Sequence, residues 1–319
     1  MYSLYLGSVR FFKHLIYLLL ASIVFVTGWG VVVVATRVVT SVARPDIGAI
    51  AQTAEPSVVR AKLNSLTGSL PQEAAGELLP PAPSSPDYQR MYPKLYGGLP
   101  ERLVRAKKTA YLTFDDGPSA RTLEILDILR EHDIKATFFV VTAGADPDIL
   151  RRIIAEGHTL GIHSATHRYN EIYASVDAFL EDFYAAHEAI RTATGFYPTV
   201  FRFPGGSINA YNIGIYQELI AEMLRRGFVY FDWNASAADV GPNVTAAGIL
   251  DGLARSLKGQ ERLIVLAHDS HDKYQTVAAL PQIIALLQHK GYSFDRLDSR
   301  VAPIVFAYPR PSLGPGLDI

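Results

Sequence analysis

A chain of 319 residues is long enough for one large domain with appendages, or for two ordinary domains. Its formal net charge of -1 carries no polyelectrolyte signature, which argues against nucleic acid as a partner. The absence of cysteine excludes disulfides, cysteine-based zinc sites and thiol nucleophiles.

Arg10, Lys13 and His14 precede a run from Leu15 to Thr36 that has no charge and stops at Arg37. A membrane helix needs roughly 20 predominantly apolar residues, and this run meets that length. A secretory signal has a shorter apolar core and a small-x-small cleavage site. Val31 to Val34 stand where that site would fall, so residues 1–37 are expected to form a cytoplasmic tip and an uncleaved transmembrane anchor. Arg10 and Lys13 are balanced by Arg37 and Arg44, and the N-terminal amine tips the orientation toward an internal N-terminus. The expected location is the cell membrane, single-pass, with the rest of the chain extracellular.

Residues 38–107 are dominated by Ala, Ser, Pro and Gly, most densely from Leu79 to Asp87. Such a stretch cannot bury a core and reads as a spacer. Tyr88, Tyr92 and Tyr96 near its end are expected to pack onto the domain that begins at residue 108.

From residue 108 to 300 the pattern is regular, and 301–319 reads as a tail. Apolar runs of strand length fall at Ala110–Phe114, Thr137–Val141, Thr159–Ile162, Thr199–Phe203, Val229–Phe231, Leu263–Ala267 and Ser293–Leu297. Amphipathic segments of helical period lie between most of them, at Thr122–Glu131, Ser175–Thr194, Tyr216–Arg226, Ala246–Leu257 and Ala278–Lys290. Gly195, Gly227, Gly259 and Gly291 mark helix ends. Alternating strands and helices with continuously apolar strands predict an α/β fold: a parallel sheet covered by helices, with seven units favouring a closed barrel.

Polar residues gather where these strands stop. Asp115-Asp116 follows the first, His163 to His167 the third, Arg202 ends the fourth, Asp232-Trp233 the fifth and His268-Asp269 the sixth. In a barrel of parallel strands those ends form one face, where active sites sit. Asp115 and Asp116 also open an Asp-Asp-Gly-Pro turn, after which Ser119 can cap a helix. Charges set against a buried strand end are costly unless paired or metal-bound. His163 and His167 are four apart, so one helical turn would put both imidazoles on one side. With one carboxylate they suit catalytic zinc, while iron, cobalt and nickel fit the same donors. The other carboxylate of the pair points elsewhere and can reach a water at the site.

Thr113-Phe-Asp-Asp-Gly117, His163-Ser-Ala-Thr-His167, Arg202-Phe-Pro-Gly205, Asp232-Trp233 and Leu266-Ala-His268 resemble, in order, the five motifs of the polysaccharide deacetylases. This is the NodB homology domain of carbohydrate esterase family 4, and the resemblance spans about Lys108 to Leu297. The form of the third motif and the Phe231-Asp-Trp-Asn234 run look most like the peptidoglycan N-acetylglucosamine deacetylase branch.

The resemblance implies a distorted (β/α)7 barrel and a role for each motif residue. Asp115 resembles the catalytic base, and Arg202 the residue that holds it. Asp116, His163 and His167 resemble the ligands of a divalent ion, zinc foremost, with cobalt or nickel as alternatives. Gly205 stands where the family offers a backbone N–H to the oxyanion. His268 resembles the general acid, with Asp232 orienting it and Trp233 and Leu266 lining the acetyl pocket. An acetamide is a poor electrophile, so its hydrolysis needs a Lewis acid, a base for the water and an acid for the departing amine.

Two positions depart from the family pattern. Ile162 stands where Asn is common, and Gly205 where Tyr is common, which removes substrate contacts from that side chain. The expected substrate is the N-acetylglucosamine of cell-wall glycan. Chitin oligomers, xylan and exopolysaccharide remain alternatives, as does a catalytically idle glycan-binding protein on the same fold. No protein partner is expected.

His132, His187 and His289 read as solvated, His158 as packed, and His271-Asp272 as a segment able to reach the groove rim. Asn234-Ala-Ser and Asn243-Val-Thr match a glycosylation pattern without meaning in a bacterial setting.

Overall fold

The computed structural model describes residues 85–98 and 103–308, all within one compact unit, Pro83–Ile319. The expected anchor and most of the expected spacer lie outside the described residues. Among the described residues no helix is long and apolar enough to cross a membrane.

Eight parallel strands form one sheet in the order β5-β4-β3-β2-β1-β7-β6, with β8 paired to the start of β1. The strands are β1 Thr109–Asp115, β2 Thr137–Val141, β3 Thr159–Ser164, β4 Val200–Phe201, β5 Val229–Tyr230, β6 Ala235–Ser236, β7 Arg262–His268 and β8 Ser293–Phe294. All seven residues of β1 are buried, as expected of a central strand covered on both faces. The helices are α1 Ala120–Glu131, α2 Pro147–Ala155, α3 Tyr169–Ile172, α4 Val176–Thr194, α5 Tyr216–Arg225, α6 Ala246–Ser256 and α7 Tyr274–His289. Ser119 caps α1 as expected: its hydroxyl accepts from Arg121 N, and Thr122 Oγ1 accepts from Ser119 N.

The sheet has two faces and the alternation of β1 separates them. Ala110, Leu112 and Phe114 enter the large core beneath the helices. Tyr111 joins a smaller inner cluster with Phe139, Val200, Val229, Phe231, Ile264, Leu297 and Val301. Thr113 and Asp115 continue the Tyr111 row, so alternation carries the inner face up to the strand ends.

The structure corrects the expected closed barrel. Among the described residues no ladder joins β5 to β6, so the sheet is a curled half-barrel, of the kind the (β/α)7 resemblance implies. Residues 301–306, expected as tail, run past the end of β5 and the start of β7. Asp232 N donates to Ile304 O (2.9 Å) and Arg262 Nη1 to Ala302 O (2.6 Å). Val301 and Ala302 are buried there.

The end of the expected spacer packs on the domain through Tyr88 and Tyr92, while Tyr96 is half exposed. Tyr92 stacks on Tyr184 at 4.2 Å, and the buried Arg226 guanidinium donates to the carbonyls of Tyr88, Met91 and Tyr92. His158 is packed as expected, its Nδ1 accepting from Ala136 N at 3.0 Å. His187 is not solvated: it is buried on α4 against Phe228. His132 and His289 are exposed as expected.

Candidate active site

Asp115 ends β1 and His268 ends β7, and the two are partners in the parallel register. His163 stands on β3, and Arg202 comes directly after β4. These residues, with Asp116 and His167, meet at the rim where the strands stop.

Asp115 is buried, and Arg202, fully enclosed, donates to it from Nη1 at 2.8 Å. The same guanidinium donates to Thr113 Oγ1 (2.7 Å), Phe231 O (2.9 Å) and Asp232 O (3.3 Å), and its carbon lies 4.5 Å from the centre of the Phe139 ring. Arg202 is thus fixed from several strands before it meets the carboxylate. Burial pushes the Asp115 carboxyl above its ordinary range, with Arg202 and then His268 pulling against it. A carboxylate so raised, yet held in direction, is a stronger base than one in water.

Asp116, His163 and His167 present one ligand atom each within 4.8 Å of one another. Asp116 Oδ1 lies 3.1 Å from His167 Nε2 and 3.5 Å from His163 Nε2, and it is buried without a hydrogen-bond partner. His163 Nδ1 donates to Arg202 O at 2.8 Å, which leaves Nε2 with its lone pair facing the cluster. Burial holds His163 down to about 3, hence neutral and ready to ligate. An orphaned carboxylate oxygen between two imidazole nitrogens fits a divalent cation.

The histidine pair is not a helical turn, as its spacing had suggested. His163 belongs to a strand, and His167 lies in the turn after it with φ 57°. Asp116 is also left-handed, at φ 73°, an uncommon conformation for both residue types that concentrates at functional sites. What shapes the histidine turn is Asp182 of α4, a residue that sequence reasoning missed. Its carboxylate accepts from Ser164 Oγ (2.6 Å), Ala165 N (2.9 Å), Thr166 N (2.9 Å) and Thr166 Oγ1 (2.8 Å). Ser164 Oγ in turn accepts from His167 N at 2.8 Å.

His268 corrects a second expectation. Its Nδ1 pairs at 2.8 Å with Asp239, not Asp232, and its backbone N–H donates to the other oxygen of the same carboxylate at 2.7 Å. Thr276 Oγ1 completes that carboxylate at 2.9 Å. Burial alone would lower His268, but the hydrogen bond and charge of Asp239 prevail and hold it up at about 9. Asp232 faces the loop after Arg202 instead. It accepts from Ser207 N (2.8 Å), Ser207 Oγ (2.5 Å) and Phe306 N (2.7 Å), and so fixes the loop that carries Gly205.

Gly205 is exposed at the rim with φ 74°, and its N–H has no hydrogen-bond partner among the described residues. Trp233 packs edge-on to Phe306 at 4.8 Å and beside the Arg202 guanidinium at 5.7 Å. Leu266 is buried two residues before His268, on the same side of its strand. His271 and Asp272 are exposed, and Asp272 pairs with Lys273 at 3.1 Å.

A raised carboxylate and a cationic imidazole facing each other across one register step suit a hydrolase that both activates water and protonates a leaving group. Comparison with known proteins agrees with that class. A polysaccharide deacetylase family model matches residues 103–224. The chain is 36% identical over 199 residues to a peptidoglycan-N-acetylglucosamine deacetylase of Bacillus cereus, covering 60% of this chain and 70% of that one. It is 34% identical over 195 residues to a chitin deacetylase of Colletotrichum lindemuthianum, covering 57% and 74%. The catalytic domain of peptidoglycan N-acetylglucosamine deacetylase from Eubacterium rectale superposes with a TM-score of 0.61 at 34% identity, over 65% of this chain and 96% of that one.

The chain belongs to the polysaccharide deacetylase family, carbohydrate esterase family 4. It is therefore a hydrolase of non-peptide carbon–nitrogen bonds in acetylated glycans. Asp115 paired with Arg202, His268 paired with Asp239 and the Asp116–His163–His167 cluster are all in place, which counts against the idle glycan-binding alternative.

Proposed function

We propose that this enzyme removes the acetyl group from N-acetylglucosamine residues of peptidoglycan, releasing acetate and leaving a free amine on the sugar. The observation that carries the reading is the facing pair of Asp115, held by Arg202, and His268, held by Asp239. Identity to the Bacillus cereus enzyme supports the substrate. Asp116, His163 and His167 would hold a divalent ion, zinc foremost, with cobalt or nickel as alternatives. Such an ion, when bound, supplies Lewis acidity at the acetamide carbonyl and at the attacking water.

The chain's own residues supply the rest. Asp115 takes the proton of the attacking water, with Arg202 holding its direction. The free N–H of Gly205 donates to the developing oxyanion, on a loop that Asp232 and Ser207 keep rigid. His268, kept cationic by Asp239, gives its proton to the nitrogen as the C–N bond breaks. Leu266 lines the acetyl pocket, and Trp233 backs the oxyanion loop.

In this reading residues 1–37 anchor the enzyme, 38–107 space it from the membrane, 108–300 form an extracellular catalytic domain, and 301–319 follow it as a C-terminal segment. The test is acetate release from a panel of peptidoglycan, chitin oligomers, acetylated xylan and exopolysaccharide. Peptidoglycan should be turned over with the highest kcat/KM. A preference for chitin oligomers would transfer the reading to the chitin deacetylases, and no release from any N-acetylated glycan would overturn it.

A further inference from the structure

A side chain at position 205 would press on a neighbouring ring. A Cβ added to Gly205 would stand 2.9 Å from Tyr169 Cε1 and 3.2 Å from Tyr169 Oη. The ring that covers the oxyanion loop on this side thus comes from the first residue of α3, just past the turn that carries His167. On the other side, a Cβ at Gly206 would meet Phe306 and, at 3.2 Å, Trp233. The double glycine lets aromatic rings close on both faces of one short loop.

Tyr169 reaches from the metal-type cluster to the surface. Its ring lies edge-on to His167 at 5.0 Å and 4.9 Å from the ring of Tyr211. Tyr211 is 54% exposed, yet its backbone is fixed. Asn209 Oδ1 accepts from Tyr211 N (2.8 Å) and Asn212 N (3.1 Å), and Asn209 Nδ2 donates to Pro204 O and Gly206 O (both 3.1 Å). Buried Asn212 accepts from Asn209 N at 2.8 Å and donates to Ser207 O at 3.2 Å. Tyr173 Oη donates to Pro204 O at 2.8 Å from beneath. No hydrogen bond engages Tyr169 Oη among the described residues. A braced loop presenting a half-exposed ring beside a free phenol is a built surface rather than a mobile one.

We propose that Tyr169 and Tyr211 form the wall on which the glycan rests beside the reacting acetamide. The expected ligand class is a β-linked hexosamine oligosaccharide, whose equatorial substituents leave an apolar C–H face to pack on Tyr211. The Tyr169 hydroxyl donates to a polar group of the same sugar. This restores, from a different element, the contacts that glycine at position 205 removes. The proposal rests on the deacetylase reading of the site.

The test uses the full chain, with chitotetraose as probe. Tyr211→Ala should raise KM about tenfold, consistent with loss of one aromatic packing partner, and change kcat less than KM. Tyr169→Phe should raise KM about threefold to tenfold, as loss of one hydrogen bond does, while keeping the ring over Gly205. Divalent affinity, measured by titration, should be unchanged in both. A KM within twofold of the parent for both variants overturns the proposal. Calorimetric binding of chitotetraose separates its failure from that of the deacetylase reading. A parent that binds the probe but releases acetate from no N-acetylated glycan contradicts the deacetylase reading alone, and weaker binding by Tyr211→Ala then still supports the wall. Equal binding by parent and variants, or no binding by the parent, overturns it.

Discussion

His268 and Asp239 share two contacts through one carboxylate: the imidazole Nδ1 at 2.8 Å and the backbone N–H at 2.7 Å. The backbone bond fixes the carboxylate to the end of β7 itself, so the imidazole cannot turn without breaking its bond to a group that its own main chain holds. This geometry keeps the proton on Nδ1 and aims Nε2 away from Asp239. The charge on Asp239 keeps His268 protonated up to about pH 9.

Asp239→Asn removes that charge and leaves burial opposed only by the smaller pull of Asp115 and Asp116 on His268, whose pKa falls. An acid must be protonated to work, so the alkaline limb of the kcat/KM profile should move down from about pH 9. Asp232→Asn should lower kcat by disturbing the Gly205 loop and leave that limb in place. A pH–rate profile of the two variants side by side distinguishes Asp239 from Asp232.

The same pair carries a stability prediction with a definite sign. The folded His268 pKa, about 9, lies above its ordinary 6.5. Its contribution is therefore complete below pH 6.5 and is lost as pH rises through 9. The gap in unfolding free energy between parent and Asp239→Asn, read by urea denaturation, should narrow over that interval.

Asp182→Asn retains the shape of the side chain but turns one acceptor oxygen into a donor, so two of the four hydrogen bonds that hold the turn between His163 and His167 are lost. Partners of this kind hold ligands in place, and their loss typically lowers metal affinity about 10–100-fold. Competition titration with a chromophoric chelator measures this directly. Global stability should change less, because α4 keeps its buried face of Phe179, Leu180, Phe183 and Ile190.

Arg202→Met would leave the Asp115 carboxylate buried without its cation. Removing one partner of such a pair costs on the order of 3–5 kcal/mol. The variant should show that loss in urea denaturation at neutral pH. Lowering the pH should return part of it, since protonation relieves the uncompensated charge.

Much of the site can be read from sequence because it lies where regular strands stop. Asp115, His163, Arg202 and His268 each stand at the end of an apolar run, and period-two alternation then puts Asp115 on the inner face. The acid's partner is not legible for the same reason. Asp239 comes after β6, a strand of two residues with no apolar run to announce it, while Asp232 ends a recognisable strand and so attracts the role. Asp182 sits on a helix whose polar positions read as a solvated face, and only the folded turn shows what it grips. The turn itself reads as helical from spacing because i, i+4 fits both a helix and a strand end that runs into a tight loop. Helix α2 is missing from the sequence expectation although Asp146 and Pro147 give an ordinary cap-and-start signal. Closure of the sheet depends on pairing between chain-distant edges, about which the alternation of strands and helices says nothing.

The most direct test of the account is acetate release from N-acetylated peptidoglycan by the full chain and by Asp115→Asn, normalised to folded, metal-loaded protein. The account predicts release by the parent and a fall of about 10²–10⁴-fold in the variant, the range that loss of a general base removes. A variant within a few-fold of the parent would contradict the role of Asp115, and a parent that releases no acetate would contradict the proposed activity.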